Sequence, residues 1–372
     1  MKKILVIHKN TIELEPPTQM AIQHMNDLGL SVRLITLGVN DYWKKELEKR
    51  GIEYNDLGLA SFASLKKRSV TEKLKAWFKY RKEVLKELAL PENSDSIIWF
   101  VNADSLAPLL FSKIHKKISY IMHILEMYDH SSFYRYVLKK YIKNAQRLIV
   151  CEDSRAAIFN VWFRPEKYPV VLPNKPYKLP EKNKSEDFLE QHHPELYQSL
   201  KHAGKIILYQ GGISEDRDLS PVLEAANGLT DFTPVLMGKD FGMLGRYKKI
   251  CPKLIHIPFI PSPQHLYVTS MARIGILMYD PISLNQIFCA PNKIFEYSGY
   301  GVPMIGNNIP GLYTPFQKFN CGKVFNPEQN TLEIAQILLS IDENFDSYSK
   351  NSYSLFNTVD NKSIIKSVFG EI

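Results

Sequence analysis

Hydrophobic residues occur along this chain in short runs that alternate with stretches of helical spacing. Ile4 to Ile7 is an apolar run bounded by polar residues, as expected of a strand buried on both faces of a parallel sheet. Thr18 to Leu28 follows with helical periodicity, Gly29 ends that helix, and Val32 to Leu37 makes the next strand. This order predicts a βαβ unit of the doubly wound α/β type.

The same alternation continues to the end of the chain. Further buried strands are expected at Ile97 to Val101, Ile118 to Met122, Leu148 to Val150, Lys205 to Tyr209, Val235 to Met237, Ile255 to Ile257 and Ile274 to Met278. A chain of 372 residues is too long for one typical core and suits two domains. We expect a Rossmann-like domain over residues 1–178, a linker over 179–203, a second such domain over 204–345, and a terminal helix within 346–372.

The net charge of +8 is unevenly distributed. Residues 1–180 hold 30 Lys and Arg against 19 Asp and Glu, a net of +11, and the remainder carries −3. Residues Leu65 to Leu90 combine many of these cations with Trp77 and Phe78. Such a basic, aromatic helix is typical of an anionic membrane surface, the alternative being a core-packing helix with a solvated basic face. Nucleic acid is not an expected partner, because no DNA or RNA motif accompanies the charge.

Cysteine spacing and hydropathy indicate whether the chain is expected to form disulfides, to be secreted or to span a membrane. The four cysteines lie far apart without a C-x-x-C pair, which argues against a zinc site or disulfide framework and favours a reducing cytoplasm. The N-terminal apolar run is only four residues long, so we interpret it as a strand rather than a signal peptide. No window approaches the eighteen apolar residues that a membrane span needs.

The segment from Ala290 to Gly311 has the pattern of a short helix, a tight turn, a buried strand and a glycine-bearing loop. Pro291 marks the helix start, and Asn292 and Glu296, four residues apart, share one helix face. A helix N-terminus favours an anion such as a diphosphate, and a carboxylate one turn later can accept hydrogen bonds from ribose hydroxyls. The alternative is a helix packed on a sheet with Glu296 merely solvated.

This segment, Ala-Pro-Asn-Lys-x-x-Glu-Tyr followed by Gly301, Pro303 and Ile305, resembles the nucleotide-sugar signature of retaining GT-B glycosyltransferases of the family-four, or group 1, type. The resemblance extends over most of residues 204–342. It implies two Rossmann-like domains facing a cleft, with the acceptor on the first domain and the donor on the second. It also implies a C-terminal helix that crosses back to the first domain, and a ribose contact by Glu296.

A second glycine-bearing turn, Gln210 to Leu219, follows the first strand of the second half. Gly211 and Gly212 allow a backbone to come close to a ligand, and Arg217 offers a permanent two-pronged donor to phosphate. The turn resembles the family's G-R-x-x-x-x-K-G, with Gly212 where an arginine is common, so we expect Lys293 to supply the missing cation. The alternative is a surface arginine on a capping turn. Asp216 to Asp218 has the D-x-D pattern that can hold a divalent metal. Because these acids flank Arg217 at a position where a helix N-cap is expected, no metal site is predicted.

The resemblance also assigns the remaining site residues. Phe259 and Ile260 are expected along the base, although both also suit a core. Phe288 stands where many relatives have a glutamate on the donor hexose, which leaves Asn285, Asp280 and Ser283 as candidates for its hydroxyls. The segment from Met122 to His130 corresponds to the family's catalytic H-E or H-D segment, and either His123 or Glu126 is the matching residue. The first loop, Lys9 to Pro17, contains no glycine and departs from the Gly-Gly that relatives often carry.

These observations predict a metal-independent and cofactor-free retaining hexosyltransferase. Its donor would be a UDP- or GDP-sugar and its acceptor a glycan or lipid-linked sugar, in cell-surface polysaccharide synthesis at the cytoplasmic face of the membrane. Two alternatives remain open at this point. One is a nucleotide-sugar epimerase of the same fold, and the other is a non-catalytic GT-B subunit that binds a partner or lipid.

Overall fold

The structure, a computed structural model, describes residues 2–59 and 69–370. Part of the predicted basic segment, Leu65 to Arg68, therefore lies outside the described residues. The chain forms two compact units. Unit 1 runs to Tyr177 and resumes at Asp360, and unit 2 is Lys178–Val359.

Unit 1 is built on a parallel sheet with the strand order β3-β2-β1-β4-β5-β6-β7. Its strands are β1 (Lys3–His8), β2 (Ser31–Thr36), β3 (Glu53–Asp56), β4 (Ile97–Val101), β5 (Tyr120–Ile124), β6 (Arg147–Val150) and β7 (Val170–Val171). β4 and β5 are buried at every position, which is why the sequence shows them as unbroken apolar runs. The order reverses direction between β1 and β4, the arrangement of a doubly wound sheet.

Most helices of unit 1 begin at a residue whose side chain caps them. They are α1 (Pro16–Asp27), α2 (Asp41–Lys49), α3 (Val70–Leu88), α4 (Asn102–Leu106), α5 (Ser132–Ile142) and α6 (Asp153–Phe163). Ser69 and Glu72 form a reciprocal capping box at the start of α3. At α6 the Glu152 carboxylate accepts hydrogen bonds from two backbone amides, at 2.8 and 3.0 Å. These caps satisfy amides that a helix end otherwise leaves without partners.

Unit 2 repeats the plan with the strand order β10-β9-β8-β11-β12-β13, again all parallel. Its strands are β8 (Lys205–Gln210), β9 (Phe232–Met237), β10 (Ile255–Ile257), β11 (Ile274–Leu277), β12 (Met304–Asn307) and β13 (Gly322–Phe325). Separate hydrophobic clusters cover the two faces of this sheet. The reversal of strand order lies between β8 and β11, so a crevice opens at their carboxyl ends.

The helices of unit 2 include two that lie where the sequence predicted a linker. They are α7 (Ser185–His192), α8 (Pro194–Lys201), α9 (Ser220–Asn227), α10 (Leu244–Ile250), α11 (His265–Thr269), α12 (Leu284–Ile287), α13 (Asn292–Ser298), α14 (Pro310–Phe319), α15 (Thr331–Glu343) and α16 (Phe345–Thr358). α7 and α8 fall in residues 179–203, which we expected to be a linker. Leu189, Tyr197 and Leu200 from these helices are buried in the unit 2 core, so the segment is part of the domain.

The last helix, α17 (Asn361–Gly370), belongs to unit 1. Phe369 stacks on Trp99 of β4 with ring centroids 5.9 Å apart, and its carbonyl accepts a hydrogen bond from Lys2 at 2.7 Å. The sequence predicted one continuous helix over residues 347–369. Instead the chain breaks between α16 and α17, where the Asp360 carboxylate accepts a hydrogen bond from the Ser363 amide at 3.1 Å and starts a new helix.

Two further features bear on the chemistry that the sequence suggested. All four cysteines are buried and none of the four forms a disulfide, and burial raises the pKa of Cys151, Cys251 and Cys321. These thiols are therefore poor nucleophiles and act as small apolar core residues.

Within residues 2–59 and 69–370, none of the helices combines the length and the apolar character needed to cross a bilayer.

Candidate functional site

The crevice of unit 2 begins where β8 ends. Gly211 follows the strand with a φ of +144°, a conformation that side-chain-bearing residues rarely adopt. Its amide donates to the Met237 carbonyl at 2.8 Å, and a Cβ on Gly238 would lie 1.9 Å from the Gly211 carbonyl oxygen. Glycine is thus required at both positions, and an open backbone surface results at the switch point between β8 and β11.

Two cations converge over this backbone. Arg217 closes the short turn that follows the glycines, and Lys293 is the second residue of α13. A Cβ placed on Gly211 would lie 2.8 Å from Lys293 Nζ and 3.3 Å from Arg217 Nη1. The sequence predicted both residues as phosphate ligands from separate motifs, and folding brings them to the same glycine.

Aromatic rings form the walls of this cationic pocket. Lys293 Nζ lies 5.1 Å from the centroid of the Tyr209 ring and 5.5 Å from that of Tyr279. The Arg217 guanidinium carbon lies 5.3 Å from the Tyr279 centroid. Ring faces attract cations, so the two positive groups are held in place without being neutralised.

Burial and charge repulsion change the acid–base behaviour of the pocket. Desolvation, reinforced by the neighbouring Arg217 charge, lowers the pKa of Lys293 to about 7, while Glu296 acts in the opposite direction. A dianionic group placed between the two cations would relieve this repulsion. The pocket is therefore preorganised for an anion of the size of a diphosphate.

Glu296, one turn along α13, is buried and hydrogen-bonded rather than solvated. Its Oε2 accepts from the Gln210 side-chain amide, and the Gln210 carbonyl oxygen accepts from the Thr269 hydroxyl at 2.7 Å. The Thr269 bond fixes which way the Gln210 amide points. Glu296 Oε1 lies 3.5 Å from His265 Nε2, so Oε2 is anchored by a hydrogen bond and Oε1 makes a longer contact with the histidine.

Sequence reasoning missed Gln210, Thr269 and His265. Gln210 is a polar residue at the end of an apolar strand, and such residues are common without being functional. Thr269 and His265 lie on α11, a helix of five residues with no recognisable motif. Only the fold shows that these side chains reach Glu296.

The other predicted donor residues occupy different surroundings. Asn292 is the first residue of α13 and is partly buried. Asn285 lies on α12, which Ser283 caps by accepting a hydrogen bond from the Gln286 amide at 3.1 Å. Phe259 is 62 % exposed in the loop after β10, whereas Ile260 is buried in the unit 2 core. Roles of these four residues toward base or sugar stay predictions.

In unit 1 the structure separates the two candidate catalytic residues. β5 lies two residues later than predicted, so His123 is inside the strand, opposite Val101 and Ile149, and is fully buried. Neither of its ring nitrogens has a hydrogen-bond partner among the described residues, and burial lowers its pKa to about 4. Glu126 lies beyond the strand end and is exposed. Solvent reaches the Glu126 side chain but not the His123 ring.

A hydrogen-bonded cluster at the switch point of unit 1 was also not predicted. His8 Nε2 lies 2.6 Å from Glu15 Oε2, and Asn102 donates to Glu15 Oε1 at 2.7 Å. The Asn102 side-chain carbonyl accepts from the Leu125 amide at 2.8 Å, with Asn102 itself at a φ of +62°. Glu15, on the glycine-free first loop, thus ties together the carboxyl ends of β1, β4 and β5.

Comparisons with known proteins were made at the level of sequence and of structure. No protein-family model matches the sequence, and no match was found among curated proteins. Solved structures do match over the whole length of the chain. HepE from Anabaena, solved in complex with UDP-glucose, aligns with a TM-score of 0.68 at 11% identity, covering 100% of this chain and 99% of that one.

Two other similar structures are enzymes of sugar metabolism. Sucrose-phosphate synthase from Thermosynechococcus elongatus aligns with a TM-score of 0.65 at 13% identity, over 99% of this chain and 95% of the other. WaaG, a glycosyltransferase involved in lipopolysaccharide biosynthesis, gives a TM-score of 0.61 at 13% identity, with 98% of each chain covered. These neighbours are GT-B glycosyltransferases. At such low identity the likeness concerns the fold, and it confirms the predicted fold of two Rossmann-like domains.

Proposed function

We propose that this chain, whose two parallel-sheet units have the GT-B fold, transfers a hexose from a UDP- or GDP-sugar to an acceptor. The observation that carries the proposal is the convergence of Arg217 and Lys293 over Gly211, one helical turn from the anchored carboxylate of Glu296. Together they match the two polar parts of a nucleotide diphosphate, the phosphates and the ribose. Their position at the switch point of a doubly wound sheet supports the same conclusion.

In this proposal the cations act on the leaving group. Arg217 and Lys293 bind the diphosphate and stabilise the negative charge that develops as the glycosidic bond breaks. Arg217 is always positively charged, and Lys293 becomes so when it binds the diphosphate. These two charges remove the need for a metal ion, in keeping with the metal-independent, retaining chemistry that the family resemblance implies. The backbone at Gly211 and Gly212 lies close to the same phosphates.

Glu296 would bind the ribose through its other oxygen, Oε1, which lies 3.5 Å from His265 Nε2. Because the Gln210 amide already occupies Oε2, the carboxylate needs little reorganisation when the ribose hydroxyls arrive. Asn292 would extend this polar face, the exposed Phe259 ring would lie along the base with Ile260 behind it, and Asn285 would contact the hexose. Glu126 is the unit 1 side chain that we assign to the reacting sugar, with His123 supporting the strand beneath it.

The acceptor proposed from the sequence is a glycan or a lipid-linked sugar, used for cell-surface polysaccharide at the cytoplasmic face of a membrane. The surface of α3 supports a membrane contact. Val70, Leu74 and Phe78 recur at intervals of four residues and are 71, 50 and 63 % exposed. Exposed lysines flank this apolar stripe, the combination expected of a helix lying on anionic lipid.

Incubation with candidate donors tests the proposal. The protein is given UDP-glucose, UDP-N-acetylglucosamine, UDP-galactose or GDP-mannose, and the products are separated by anion-exchange chromatography. Release of UDP or GDP, by transfer or slow hydrolysis, is expected of a glycosyltransferase. Appearance of a different sugar nucleotide would show an epimerase, and absence of any turnover or nucleotide binding would leave a non-catalytic GT-B subunit.

Replacing Glu296 tests the donor site itself. Glu296→Ala should weaken UDP or GDP binding by about 1.5–3 kcal/mol, roughly ten- to a hundredfold, the range for a hydrogen bond to a charged group. Glu224→Ala, an exposed glutamate on α9, is the matched control and should bind as the unmodified protein does. Equal affinities of the two variants in calorimetry would exclude the ribose role.

A further inference from the structure

Unit 1 carries a row of aromatic rings that the proposed donor chemistry does not use. The rings of Tyr128 and Tyr134 are 4.9 Å apart, those of Tyr134 and Phe133 5.3 Å, and those of Phe133 and Trp77 6.5 Å. They come from the segment after β5, from α5 and from α3. Three separate pieces of chain therefore contribute to one continuous aromatic surface.

The row is attached to the switch point of the unit 1 sheet. Tyr128 has a φ of +56°, and its hydroxyl accepts a hydrogen bond from the Ala103 amide at 3.2 Å, directly after β4 ends. At the other end of the row, Lys9 follows β1 and places Nζ 4.3 Å from the Trp77 ring centroid. Open α/β sheets bind ligands outside the carboxyl ends of their strands at this reversal of strand order.

A carboxyl group lies beside the rings. Burial raises the pKa of both Tyr128 and Tyr134, and Asp104, on α4, is close enough for its charge to add to that increase. Burial raises the pKa of Asp104 itself to about 7, and the nearby Lys9 opposes that increase. The surface thus combines apolar ring faces with two hydroxyls and one carboxyl along its edge.

This combination matches the chemistry of a pyranose. A sugar ring has an apolar face of C–H bonds, which can cover an aromatic side chain, and an equatorial rim of hydroxyls, which need hydrogen-bond partners. A hydrocarbon chain would cover the rings but would offer the Asp104 carboxyl, which lies near Lys9, no further hydrogen bond, whereas a sugar hydroxyl can donate one.

We propose that the row formed by Trp77, Phe133, Tyr134 and Tyr128 is a saccharide-binding site, with the sugar packed against Phe133 and Tyr134, whose ring planes are 63° apart, and its hydroxyls directed to Asp104. Its role as the acceptor site rests on the proposed glycosyltransferase function. The site differs from the exposed stripe on α3. Trp77 turns inward over Lys9, whereas the next residue, Phe78, belongs to the stripe and is 63 % exposed.

Saturation-transfer NMR on the full chain tests this site directly. The probes are the methyl glycosides of glucose, galactose, mannose and N-acetylglucosamine, each with and without saturating UDP. At least one glycoside should receive saturation from the protein, mainly at its ring C–H protons. Phe133→Ala and Tyr134→Ala should each reduce that signal by about fivefold, the loss expected for one aromatic contact.

Tyr136→Ala is the matched control. Tyr136 is on the same helix and 59 % exposed but lies outside the row, so its removal should leave the signal unchanged. A second variant, Asp104→Asn, keeps the rings and should weaken glycoside binding, while circular dichroism checks that every variant is folded. UDP affinity, a property of unit 2, should be the same in all of them.

Several results would overturn the proposal. One is that none of the four glycosides receives saturation from a protein that binds UDP. Another is that Phe133→Ala and Tyr134→Ala bind the glycosides as the unmodified protein does. A third is that those variants lose binding to phosphatidylglycerol vesicles and keep binding to glycosides. If glycosides bind as predicted but neither UDP nor GDP does, the saccharide site stands and the glycosyltransferase function fails.

Discussion

At the scale of single residues, Lys293 should give the proposed donor binding a characteristic dependence on pH. Its pKa is lowered to about 7, so the side chain is cationic below that pH and mostly neutral above it. A bound diphosphate favours the protonated lysine, and binding above pH 7 must therefore take up a proton. The affinity for UDP should fall as pH rises from 7 to 9, by up to about tenfold per pH unit.

Calorimetry in buffers of different ionisation enthalpy measures both the affinity and the proton uptake. The terminal phosphate of UDP titrates near pH 6, so it does not contribute a slope above pH 7. Lys293→Arg stays charged throughout this range and should bind UDP with constant affinity. A wild-type affinity that does not change between pH 7 and 9 would contradict the assignment.

His123 provides a second, structural prediction. Its pKa is lowered to about 4 by burial, against an ordinary value of 6.5, so the unfolded chain binds this proton more readily than the folded one. The stability contributed by the neutral ring is therefore fully present above pH 6.5 and is lost as pH falls towards 4. The loss should reach about 3 kcal/mol in total.

Urea unfolding followed by tryptophan fluorescence measures this effect in the right part of the molecule. All four tryptophans, Trp43, Trp77, Trp99 and Trp162, lie in unit 1. His123→Leu removes the titrating group while keeping the volume, so its midpoint should decline less between pH 6.5 and 4. Equal acid sensitivity of the two proteins would mean that other groups dominate.

The residues of the donor site differ in how far the sequence reveals them. Glu296 and Arg217 stand in motifs with a chemical rationale, and folding places them in one crevice of unit 2. Gln210 and Thr269 depend on a hydrogen bond between residues 59 positions apart, which no local pattern encodes. The burial of His123 was missed because a shift of two residues in β5 moves it from a loop into the sheet interior.

At the scale of secondary-structure elements, α3 determines the membrane prediction. Two of its cations, Lys79 and Arg81, donate to the backbone carbonyls of Leu57 and Pro108, so they stabilise unit 1 rather than face lipid. Lys73, Lys75 and Lys82 are exposed, and we propose them as the lipid contacts, each of which would be attracted to anionic lipid by about 1 kcal/mol.

The protein should sediment with phosphatidylglycerol vesicles but not with phosphatidylcholine vesicles, and about 0.5 M salt should release it. Replacing Lys73, Lys75 and Lys82 with Gln should abolish sedimentation without altering UDP affinity. The same change at the exposed lysines of unit 2, Lys239, Lys248 and Lys249, is matched in charge and should have no effect. Vesicle binding that survives the first replacement would refute the assignment to α3.

Elements with a strong periodic pattern were predicted well, and those set by tertiary contacts were not. β4 matches its predicted bounds of Ile97 to Val101, because five consecutive apolar residues leave little choice of register. α7 and α8 were missed because their sequences are mostly polar, with three or four residues facing the core. Their burial depends on unit 2 being in place, so composition alone suggested a linker.

At the scale of the whole molecule, the succession of strands along the chain could be predicted from the alternation of apolar runs and helical stretches. Which residues belong to which unit could not be predicted in full. Residues 347–369 read as one helix, and the break that gives α16 to unit 2 and α17 to unit 1 depends on a single capping residue, Asp360. A helix cap is visible in sequence only when its helix start is already known.

The packing of α17 gives a stability prediction for unit 1. Phe369 is buried against Trp99, so Phe369→Ala should destabilise unit 1 by about 3–5 kcal/mol, the usual cost of such a cavity. Lys366→Ala, on the exposed side of the same helix, should cost little. Tryptophan fluorescence during urea unfolding reports the difference, and similar midpoints for both variants would show that α17 contributes little to the unit 1 core.

The position of α17 also has a consequence for how the protein is made. A ribosome synthesises the strands of unit 1 first, then all of unit 2, and only afterwards the helix that covers Trp99. Unit 2 is continuous in sequence and can complete its fold as it emerges, whereas the earlier unit must wait with an apolar face uncovered. Of the two units, the one whose strands are translated earlier is therefore the later to finish folding, and during that interval it has the greater need of a chaperone.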